Sequence, residues 1–175
     1  QDGILYAGTD DGLIHVTKDG GKNWRKIEVG SIKGIPATAF VNDIRADLFD
    51  ANTVYAALDN HKYGDFKPYI LKSTNQGKSW KEISGDLPEA PVNALVVDPD
   101  HPQVLYVGTD DGALWMTADG GREWRDLFAL NASMVEEEVV AADGVSAVTN
   151  ADVYLLYGDH IVDGIRPDGD GAFSF

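Results

Sequence analysis

The chain contains no cysteine, no long hydrophobic run and little positive charge. Of its 175 residues, 14 are Lys or Arg and 29 are Asp or Glu, which gives a net charge of −15. The absence of cysteine excludes disulfides, thiolate metal sites and cysteine nucleophiles. No segment approaches the roughly 18 apolar residues of a membrane-spanning helix, and the first residues lack the basic and apolar regions of a signal peptide. The acidic balance argues against nucleic acid and anionic membrane surfaces as partners, because like charges repel.

Glycine and tryptophan are plentiful by comparison, with 19 glycines and four tryptophans in a chain that is 43% hydrophobic. This composition is typical of a globular protein that is rich in β-turns. The length is sufficient for a domain with its own hydrophobic core.

The segment at 5–27 is repeated 100 residues later in the chain. Residues 5–27 and 105–127 are identical at 13 of 23 positions without a gap. A second comparison, at a shift of 51 residues, aligns 41–59 with 92–110. Internal repeats of this kind indicate a fold built from copies of one supersecondary unit.

One complete copy of the unit lies in residues 91–127. It contains four short β-like segments separated by turn residues, namely VNALVVD, VLYVGT, ALWMT and WRDL. The DDG between the second and third segments is a strong signal for a tight β-hairpin. Four antiparallel strands in about 44 residues, repeated along a chain, are typical of a propeller blade. The sequence therefore predicts an all-β fold, a β-propeller of four-stranded antiparallel blades.

The turn before the fourth strand has the pattern S/T-x-D-x-G-x-x-W. It occurs in full at 17–24 and 117–124, and with Asn in place of Asp at 73–80; we refer to these three segments as the repeated turns. The pattern resembles the Asp-box, or BNR repeat, of β-propellers such as sialidases, sortilin-type domains and xyloglucan-active glycosidases. Over residues 4–128 the chain is most similar to sortilin-like BNR proteins secreted by bacteria. The residues that carry the pattern are Thr17, Asp19, Gly21, Trp24, Ser73, Asn75, Gly77, Trp80, Thr117, Asp119, Gly121 and Trp124.

Turn geometry alone explains the residue types of the repeated turns. Thr17 and Asp19 are side chains that bond to backbone N–H groups, and Gly21 allows positive φ. Asn75 makes the same bonds as Asp, whereas a metal site would tolerate that change less well. We therefore expect structural turns without a metal or another cofactor. We also expect the three tryptophans of these turns to be mostly buried between strands.

The repeats divide a single, partial propeller domain of residues 1–175 into about four blades. The predicted units are 1–30, a blade without its first strand; 38–84, the second blade; 91–128, the third blade; and 129–175, an atypical last blade or tail. In the last unit we predict strands at 145–149, 153–157 and 160–165, whereas SMVEEEVVAA is compatible with a capped helix or a strand. The chain is either a fragment of a larger propeller or a small closed ring, and the fragment is favoured because the sequence starts within a blade.

The connection between the second and third strands is enlarged in the second blade. DNHKYGDFKPY, at 59–69, replaces the three-residue DDG of the other two copies. In the resembled families the repeated turns lie opposite the ligand-binding face, which would carry this loop. Aromatic and basic side chains suit a sugar or peptide ligand, although a loop of this length equally serves as packing between blades or domains. The candidate ligand-binding residues are His61, Lys62, Tyr63, Phe66, Lys67 and Tyr69.

Other candidate sites have weaker support. Sialidases hold their substrate with an arginine triad, whereas four of the five arginines here lie in strands or turns that do not converge. A pair of catalytic carboxylates is available at Asp10 and Asp11 or at Asp110 and Asp111, but hairpin turns explain these residues first. The four histidines have no metal-ligand spacing. PDGDG at 167–171 resembles the start of a calcium loop, but the glutamate that such a loop requires would lie beyond the end of the sequence.

The sequence thus predicts a non-catalytic binding or scaffold module of a BNR-repeat propeller, with loops that recognise a glycan or a protein. The alternative is a fragment of a glycoside hydrolase propeller of the xyloglucanase or sialidase type. By resemblance we expect a secreted bacterial protein, extracellular or periplasmic, whose further partners are additional blades of a longer chain or an oligomer. We assign no catalytic residue, and nucleic acid and the membrane interior are not expected partners.

Overall fold

The computed structural model describes residues 3–128 and the backbone of 153–157 and 160–165. β-strands dominate both parts, which confirms the prediction of an all-β fold. The strands, in chain order, are β1 (Leu5–Gly8), β2 (Leu13–Thr17), β3 (Arg25–Glu28), β4 (Phe40–Ala46), β5 (Val54–Asn60), β6 (Asp65–Ser73), β7 (Lys81–Glu82), β8 (Val92–Val97), β9 (Leu105–Thr109), β10 (Leu114–Thr117), β11 (Arg125–Asp126), β12 (Val153–Tyr157) and β13 (His160–Ile165). Short 3-10 turns follow β3 and β5, at Val29–Ser31 and His61–Tyr63. The chain separates into two compact units, residues 1–127 and 128–175.

The first unit consists of three sheets, each formed by strands that follow one another in the chain. The first sheet has the order β1-β2-β3, the second β4-β5-β6-β7 and the third β11-β10-β9-β8, with antiparallel neighbours throughout. The tight turns predicted from DDG contain Gly12 and Gly112, whose φ values are 77° and 89°. Only glycine adopts such angles without a steric cost, so these two positions set the hairpins. Within the described residues the first sheet has three strands and the other two have four.

The second sheet is buried on both faces because it lies between the other two. Every residue of β5 is buried, and successive residues point to opposite faces. Tyr55 and Ala57 belong to a hydrophobic cluster shared with the third sheet, whereas Ala56 and Leu58 belong to a cluster shared with the first sheet. Each core of the unit is therefore a layer between two consecutive sheets.

The first strands of the second and third sheets begin with the same irregularity. Asn42 in β4 and Asn93 in β8 occupy equivalent bulges, at which the register with the neighbouring strand shifts. The Asn42 amide nitrogen donates to the carbonyl oxygen of Val92 at 3.0 Å and to the side-chain oxygen of Asn93 at 3.2 Å. Asp43 accepts the backbone N–H of Leu95 at 3.0 Å. These bonds join the second sheet to the third at the end of the strands that also carries the β5–β6 connection.

The three repeated turns have one hydrogen-bond pattern. In the first turn the Thr17 hydroxyl donates to Asp19 at 2.8 Å and accepts the backbone N–H of Gly21 at 3.0 Å. The Asp19 carboxylate accepts the backbone N–H of Asn23 at 2.9 Å. The third turn repeats these bonds with Thr117, Asp119, Gly121 and Glu123. The side chains therefore close each turn from within, as expected for hydroxyl and carboxylate groups next to free backbone N–H groups.

The second turn keeps this geometry with different residues. The Ser73 hydroxyl accepts the N–H of Gly77 at 2.8 Å, and the side-chain oxygen of Asn75 accepts a backbone N–H four residues later at 2.9 Å. Gln76 stands where the other turns have glycine, and it has a positive φ of 58°. Its backbone N–H and its side-chain amide both donate to Asn52, which holds this uncommon conformation. An amide replaces the carboxylate because the turn requires an acceptor oxygen rather than a charge.

The tryptophans that end the repeated turns differ in burial, so the prediction of three mostly buried rings is wrong. Trp124 is 4% exposed, and its indole N–H donates to the carbonyl oxygen of Ile83 at 3.2 Å. Trp80 is half-buried against the hydrophobic cluster between the first and second sheets. Trp24 is 45% exposed, and its N–H donates within its own turn, to Gly21, at 3.0 Å. The difference follows the order of the sheets, since the later turns pack on the preceding sheet and no sheet precedes the first in the described residues.

The second unit contains one described hairpin. β12 and β13 pair antiparallel, with Val153 opposite Ile165, which confirms the strands predicted at 153–157 and 160–165. The strand predicted at 145–149, the segment SMVEEEVVAA and the segment PDGDG lie outside the described residues.

Because these tryptophans differ in burial, we expect their replacement by alanine to lower the free energy of unfolding by different amounts. Trp124→Ala removes a buried ring with its hydrogen bond, and we expect it to lower the free energy of unfolding by about 3–5 kcal/mol. Trp24→Ala removes a half-exposed ring and should cost about 1 kcal/mol or less. Urea denaturation of both variants, followed by circular dichroism, measures the two costs. Equal costs would contradict the packing of Trp124 on the second sheet.

The loss of stability in acid should depend on the carboxylates of the repeated turns. Hydrogen bonds from the side chain and the backbone of Asn23 lower the pKa of Asp19 from 3.8 to about 2. The folded state therefore binds fewer protons than the unfolded state, and this stabilisation is lost as the pH falls from above 3.8 through about 2. Asp19→Asn should flatten the decrease of Tm over that range, and Asn75→Asp should steepen it. Thermal unfolding at neutral pH is the control: Asp19→Asn keeps the acceptor oxygen for Thr17 and for the backbone N–H of Asn23 and loses only the bond from the Asn23 side chain, so its Tm should change little there. An acid-induced decrease of Tm equal to that of the wild type in both variants would contradict the prediction.

Candidate functional site: the β5–β6 hairpin

The second sheet carries a hairpin that is longer than its counterparts. β5 and β6 remain paired as far as Asn60 and Asp65, so much of the segment predicted as a loop at 59–69 is strand. The chain reverses through the 3-10 turn and Gly64, whose φ is 75°. The equivalent hairpin of the third sheet closes through a tight turn at 110–112. The extra residues extend from the end of β6 opposite the repeated turn, as the alignment of the repeats predicts.

A buried carboxylate anchors the base of this hairpin. Asp59 is buried, and it accepts the backbone N–H of His61 at 2.8 Å. The Nδ1 atom of His61 lies 2.6 Å from the same carboxylate. Asn42 of β4 donates to it from the other side at 3.3 Å. Because a buried charge requires polar partners, these bonds hold the His61 ring against the sheet instead of leaving it free at the tip.

A second polar network fixes the other strand of the hairpin. Asp65 accepts hydrogen bonds from the Tyr69 hydroxyl at 2.7 Å and from the Asn60 side chain at 3.1 Å. Asn60 also accepts a bond from the Thr38 hydroxyl at 2.8 Å. Burial acts to raise the pKa of Asp65, but these bonds and the backbone N–H of Lys67 outweigh it and lower the pKa. The pKa of Tyr69 moves in the opposite direction, raised by burial and by the Asp65 carboxylate.

Phe40 forms a platform beside the turn of the hairpin. The Lys62 ammonium nitrogen lies 4.2 Å from the centre of the Phe40 ring, an attractive position for a cation. The His61 ring meets the same ring edge-on, with centroids 5.8 Å apart. The sequence analysis did not identify Phe40, although its pairing with Asp59 at the start of β4 places it at the base of the hairpin. Two of the six predicted contact residues therefore stabilise the turn.

Two aromatic rings remain at the surface. Tyr63 is 67% exposed and Phe66 is 52% exposed, and Lys67 is also exposed. We call these three residues the hairpin surface. Tyr69 does not join them, contrary to the prediction, because its ring is only 5% exposed and its hydroxyl is bound to Asp65. Tyr69 therefore supports the hairpin from within.

The carboxylates of the short hairpins are engaged in their own turns. Asp11 accepts a hydrogen bond from Thr9, and Asp111 accepts one from Thr109 at 2.6 Å. This bond and the backbone N–H of Ala113 lower the pKa of Asp111. Across residues 3–128, every carboxyl group with a resolved shift has a lowered pKa. The general acid of a glycosidase requires a raised pKa, and none of these six groups has one.

The described residues offer no metal-binding cluster. No group of three or more His, Asp or Glu side chains among them is placed to hold an ion. The arginines make local contacts, since Arg25 donates to the carbonyl oxygens of Gly77 and Gln76 and Arg45 pairs with Asp43 at 3.0 Å. The same part of the chain contains no helix long and apolar enough to cross a membrane.

A groove at the opposite end of the second sheet was not predicted from the sequence. Its volume is about 200 Å³, and it is lined by Ile4, Tyr6, Ala46, Asp47, Leu48, Phe49 and Ala51. Leu48 and Phe49 are exposed, in a turn that Asp47 closes by accepting the backbone N–H of Phe49 at 2.8 Å. In the third sheet Asp98 closes the equivalent turn in the same way around proline and polar residues. Because the two turns close in the same way, a comparison of their sequences would have shown that closure does not require the apolar residues Leu48 and Phe49.

No family model matches the chain. A probable oligoxyloglucan-reducing end-specific xyloglucanase from Neosartorya fischeri is 31% identical over 64 residues, which cover 33% of this chain and 8% of that protein. The structure of YCF48 bound to D1 peptide superposes with a TM-score of 0.54 at 20% identity and covers 71% of this chain and 37% of that one. The GH74 xyloglucanase from Xanthomonas campestris superposes with a TM-score of 0.51 at 22% identity and covers 71% of this chain and 18% of that one.

These similarities show the fold. The solved structures are β-propellers, and the sheets of this chain have the strand order of propeller blades, so the predicted β-propeller fold is confirmed. The chain spans 37% or less of the length of each of these proteins.

The division of the hairpin into support and surface predicts which substitutions change stability. Tyr69→Phe removes the hydroxyl that is bound to Asp65 and should lower the free energy of unfolding by about 1 kcal/mol. Tyr63→Ala and Phe66→Ala remove exposed rings and should each change it by about 0.5 kcal/mol or less. Chemical denaturation measures all three values. A loss of about 2 kcal/mol in either alanine variant would identify the tip as structural packing instead.

Proposed function

We propose that the chain is a non-catalytic recognition module of a BNR-repeat propeller of the sortilin-like type, and that its hairpin surface binds a glycan or a protein. Its blades are 1–30, 38–84 and 91–128, followed by an atypical last blade or tail at 129–175. The repeated turns are Asp-boxes with a structural role. We further propose an extracellular or periplasmic location, which the resemblance to secreted BNR-repeat proteins supports.

One observation supports this proposal most directly, namely that a firmly anchored hairpin exposes Tyr63 and Phe66. Its tip is not needed to connect β5 to β6, because the third sheet makes the equivalent connection with a three-residue turn. Its base nevertheless has hydrogen bonds around Asp59 and Asp65, which restrict its conformation. Aromatic side chains held in this way lose little conformational entropy on binding, which is typical of a recognition surface.

The similar structures make both ligand classes reasonable. One of them is YCF48 with a bound peptide, D1, and another is a xyloglucanase. Exposed Tyr and Phe rings suit stacking on a sugar ring as well as contact with apolar peptide side chains. Lys67 would add a preference for an acidic ligand.

A fragment of a glycoside hydrolase propeller is the second candidate, favoured by the similarity to two xyloglucanases. Its catalytic groups would be Asp10, Asp11, Asp110 or Asp111, or would lie in other blades of a longer protein. The hydrogen bonds that engage Asp11 and Asp111 in their turns favour a structural role for both. The binding module is therefore the first candidate.

Binding measurements with paired variants test the hairpin surface. Soluble xyloglucan oligosaccharides and a synthetic peptide array serve as probes of the two ligand classes. For the probe that the wild-type chain binds, Tyr63→Ala with Phe66→Ala should lower the affinity by at least about tenfold. Leu48→Ala with Phe49→Ala is the matched control, since it removes two exposed apolar residues at the other end of the sheet and should leave the affinity unchanged. An unchanged affinity in the hairpin variant would contradict the proposal.

The salt dependence of binding distinguishes the two ligand classes, and an assay of xyloglucan hydrolysis tests the second candidate. The affinity for a neutral sugar should stay constant as the salt concentration rises, whereas the affinity for an acidic peptide should fall as Lys67 is screened. Release of reducing sugar from xyloglucan, abolished by Asp11→Asn or Asp111→Asn, would establish the hydrolase instead.

A further inference from the structure

One edge of the first sheet has no partner strand among residues 3–128. β1 is an outer strand of its sheet, whereas its equivalents β5 and β9 each pair with a further strand, β4 or β8. The backbone N–H of Thr9 donates to the carbonyl oxygen of Leu13 at 3.0 Å, and hydrogen-bonded pairs alternate along an antiparallel ladder. Tyr6 and Gly8 therefore direct their backbone N–H and C=O groups away from β2, to the free edge of the sheet.

The tyrosine of this strand lacks the hydrogen bond that its two equivalents make. The repeats align Tyr6 with Tyr55 and Tyr106. The Tyr55 hydroxyl donates to Asp47 at 3.2 Å, and the Tyr106 hydroxyl donates to Asp98 at 3.2 Å. Each aspartate directly follows the first strand of its sheet, β4 or β8. The Tyr6 hydroxyl is shielded from solvent and has no partner within the described part of the chain. Since a buried donor without an acceptor is costly, the geometry favours a carboxylate at this point.

A groove adjoins Tyr6 on the side of the second sheet. It is the groove of about 200 Å³ that Ile4 and Tyr6 share with the turn containing the exposed side chains Leu48 and Phe49. On its other side Leu48 lines a similar groove with residues 96 and 97 of β8, a strand of the kind that would fit beside β1. Burial raises the pKa of the Tyr6 hydroxyl, which keeps it protonated and able to donate.

We propose that β1 accepts an antiparallel strand from a separate polypeptide, and that a carboxylate at the end of this strand accepts the hydrogen bond of the Tyr6 hydroxyl. This mode of binding is β-strand addition, in which backbone hydrogen bonds supply affinity and side-chain contacts supply specificity. The strands described in residues 3–128 are already paired within their own sheets, so none of them is available for this edge.

The equivalent strands define the chemistry of the partner. Arg45 of β4 lies opposite Tyr55, two residues before Asp47. Val96 of β8 lies opposite Tyr106, again two residues before its aspartate. The added strand should therefore place its carboxylate two residues after the residue opposite Tyr6. Because the chain has a net charge of −15, a strand without further acidic residues is favoured. The hairpin surface lies at the other end of the second sheet, so this inference is independent of its ligand.

A peptide with the sequence of β8 and its aspartate, VNALVVD with blocked termini, is the probe for this edge. Titration into the full, ¹⁵N-labelled chain, followed by NMR, should show saturable binding with a dissociation constant of about 1 mM or tighter. The amides of Tyr6 and Gly8 should exchange rapidly with solvent before the peptide is added and slowly afterwards. Slow exchange before addition would show that the chain's own residues cover the edge and would overturn the proposal, as would the absence of binding.

Paired substitutions test the role of the hydroxyl. Tyr6→Phe keeps the ring and should lower the affinity for VNALVVD by about tenfold, because a bond to a charged acceptor is lost. Tyr106→Phe is the matched control, since its hydroxyl already has an acceptor in Asp98, and it should leave the affinity unchanged. Circular dichroism verifies that both variants are folded.

A second peptide separates the hydrogen bond from packing. VNALVVA, which has alanine in place of the aspartate, should bind the wild-type chain about tenfold more weakly than VNALVVD. Tyr6→Phe should not weaken the binding of VNALVVA any further. An equal loss of affinity for both peptides in Tyr6→Phe would show that Tyr6 acts through packing alone and would contradict the proposed bond.

Discussion

A β-sheet with two apolar faces needs a neighbour on each face, and this requirement organises the described part of the chain. Burial of apolar surface contributes about 25 cal/mol per Å², so an uncovered face forfeits the main source of stability. The second sheet meets the requirement in full, with every residue of β5 buried between two cores. A register slip of one residue would exchange the side chains of these two cores. The same requirement accounts for two of the tryptophans. Trp124 is buried because the second sheet lies beside the third, and Trp24 is exposed because no sheet precedes the first among the described residues.

The repeated turns connect local closure to packing between sheets. Within each turn a hydroxyl and an acceptor oxygen satisfy the backbone N–H groups, so the turn keeps its shape without help from its neighbours. That shape presents a glycine and a tryptophan to the preceding sheet. The second turn shows which features are required, because Asn75 and Gln76 preserve the shape while the charge and one glycine are absent. The hydrogen bonds inside the turn therefore depend only on the residues of the turn, whereas the burial of its tryptophan depends on the adjacent sheet.

The repeats made the strands and their order predictable from the sequence, because each copy of the unit supports the assignment of the others. The strands at 92–97, 105–109, 114–117 and 125–126 correspond to the four predicted segments, with ends that differ by a residue or so. Contacts between residues that are distant in sequence were not predictable in the same way. The exposure of Trp24 depends on which sheets lie beside its turn, and the role of Phe40 depends on strand pairing across the base of the hairpin. A local sequence pattern contains neither kind of information. The sequence therefore predicted the turn correctly but not the burial of its tryptophan.

The contacts that hold the hairpin surface lie within a single sheet. Its support comes from Asp59, Asp65 and Phe40, all of which belong to the second sheet. That sheet has both of its neighbours within the same unit, so the hairpin keeps its shape whatever covers the first turn. The first turn, in contrast, lies on a sheet that has one neighbour among the described residues. Substitutions in the first turn should therefore leave Tyr63 and Phe66 unaltered, because none of the hydrogen bonds described for the hairpin involves the first turn.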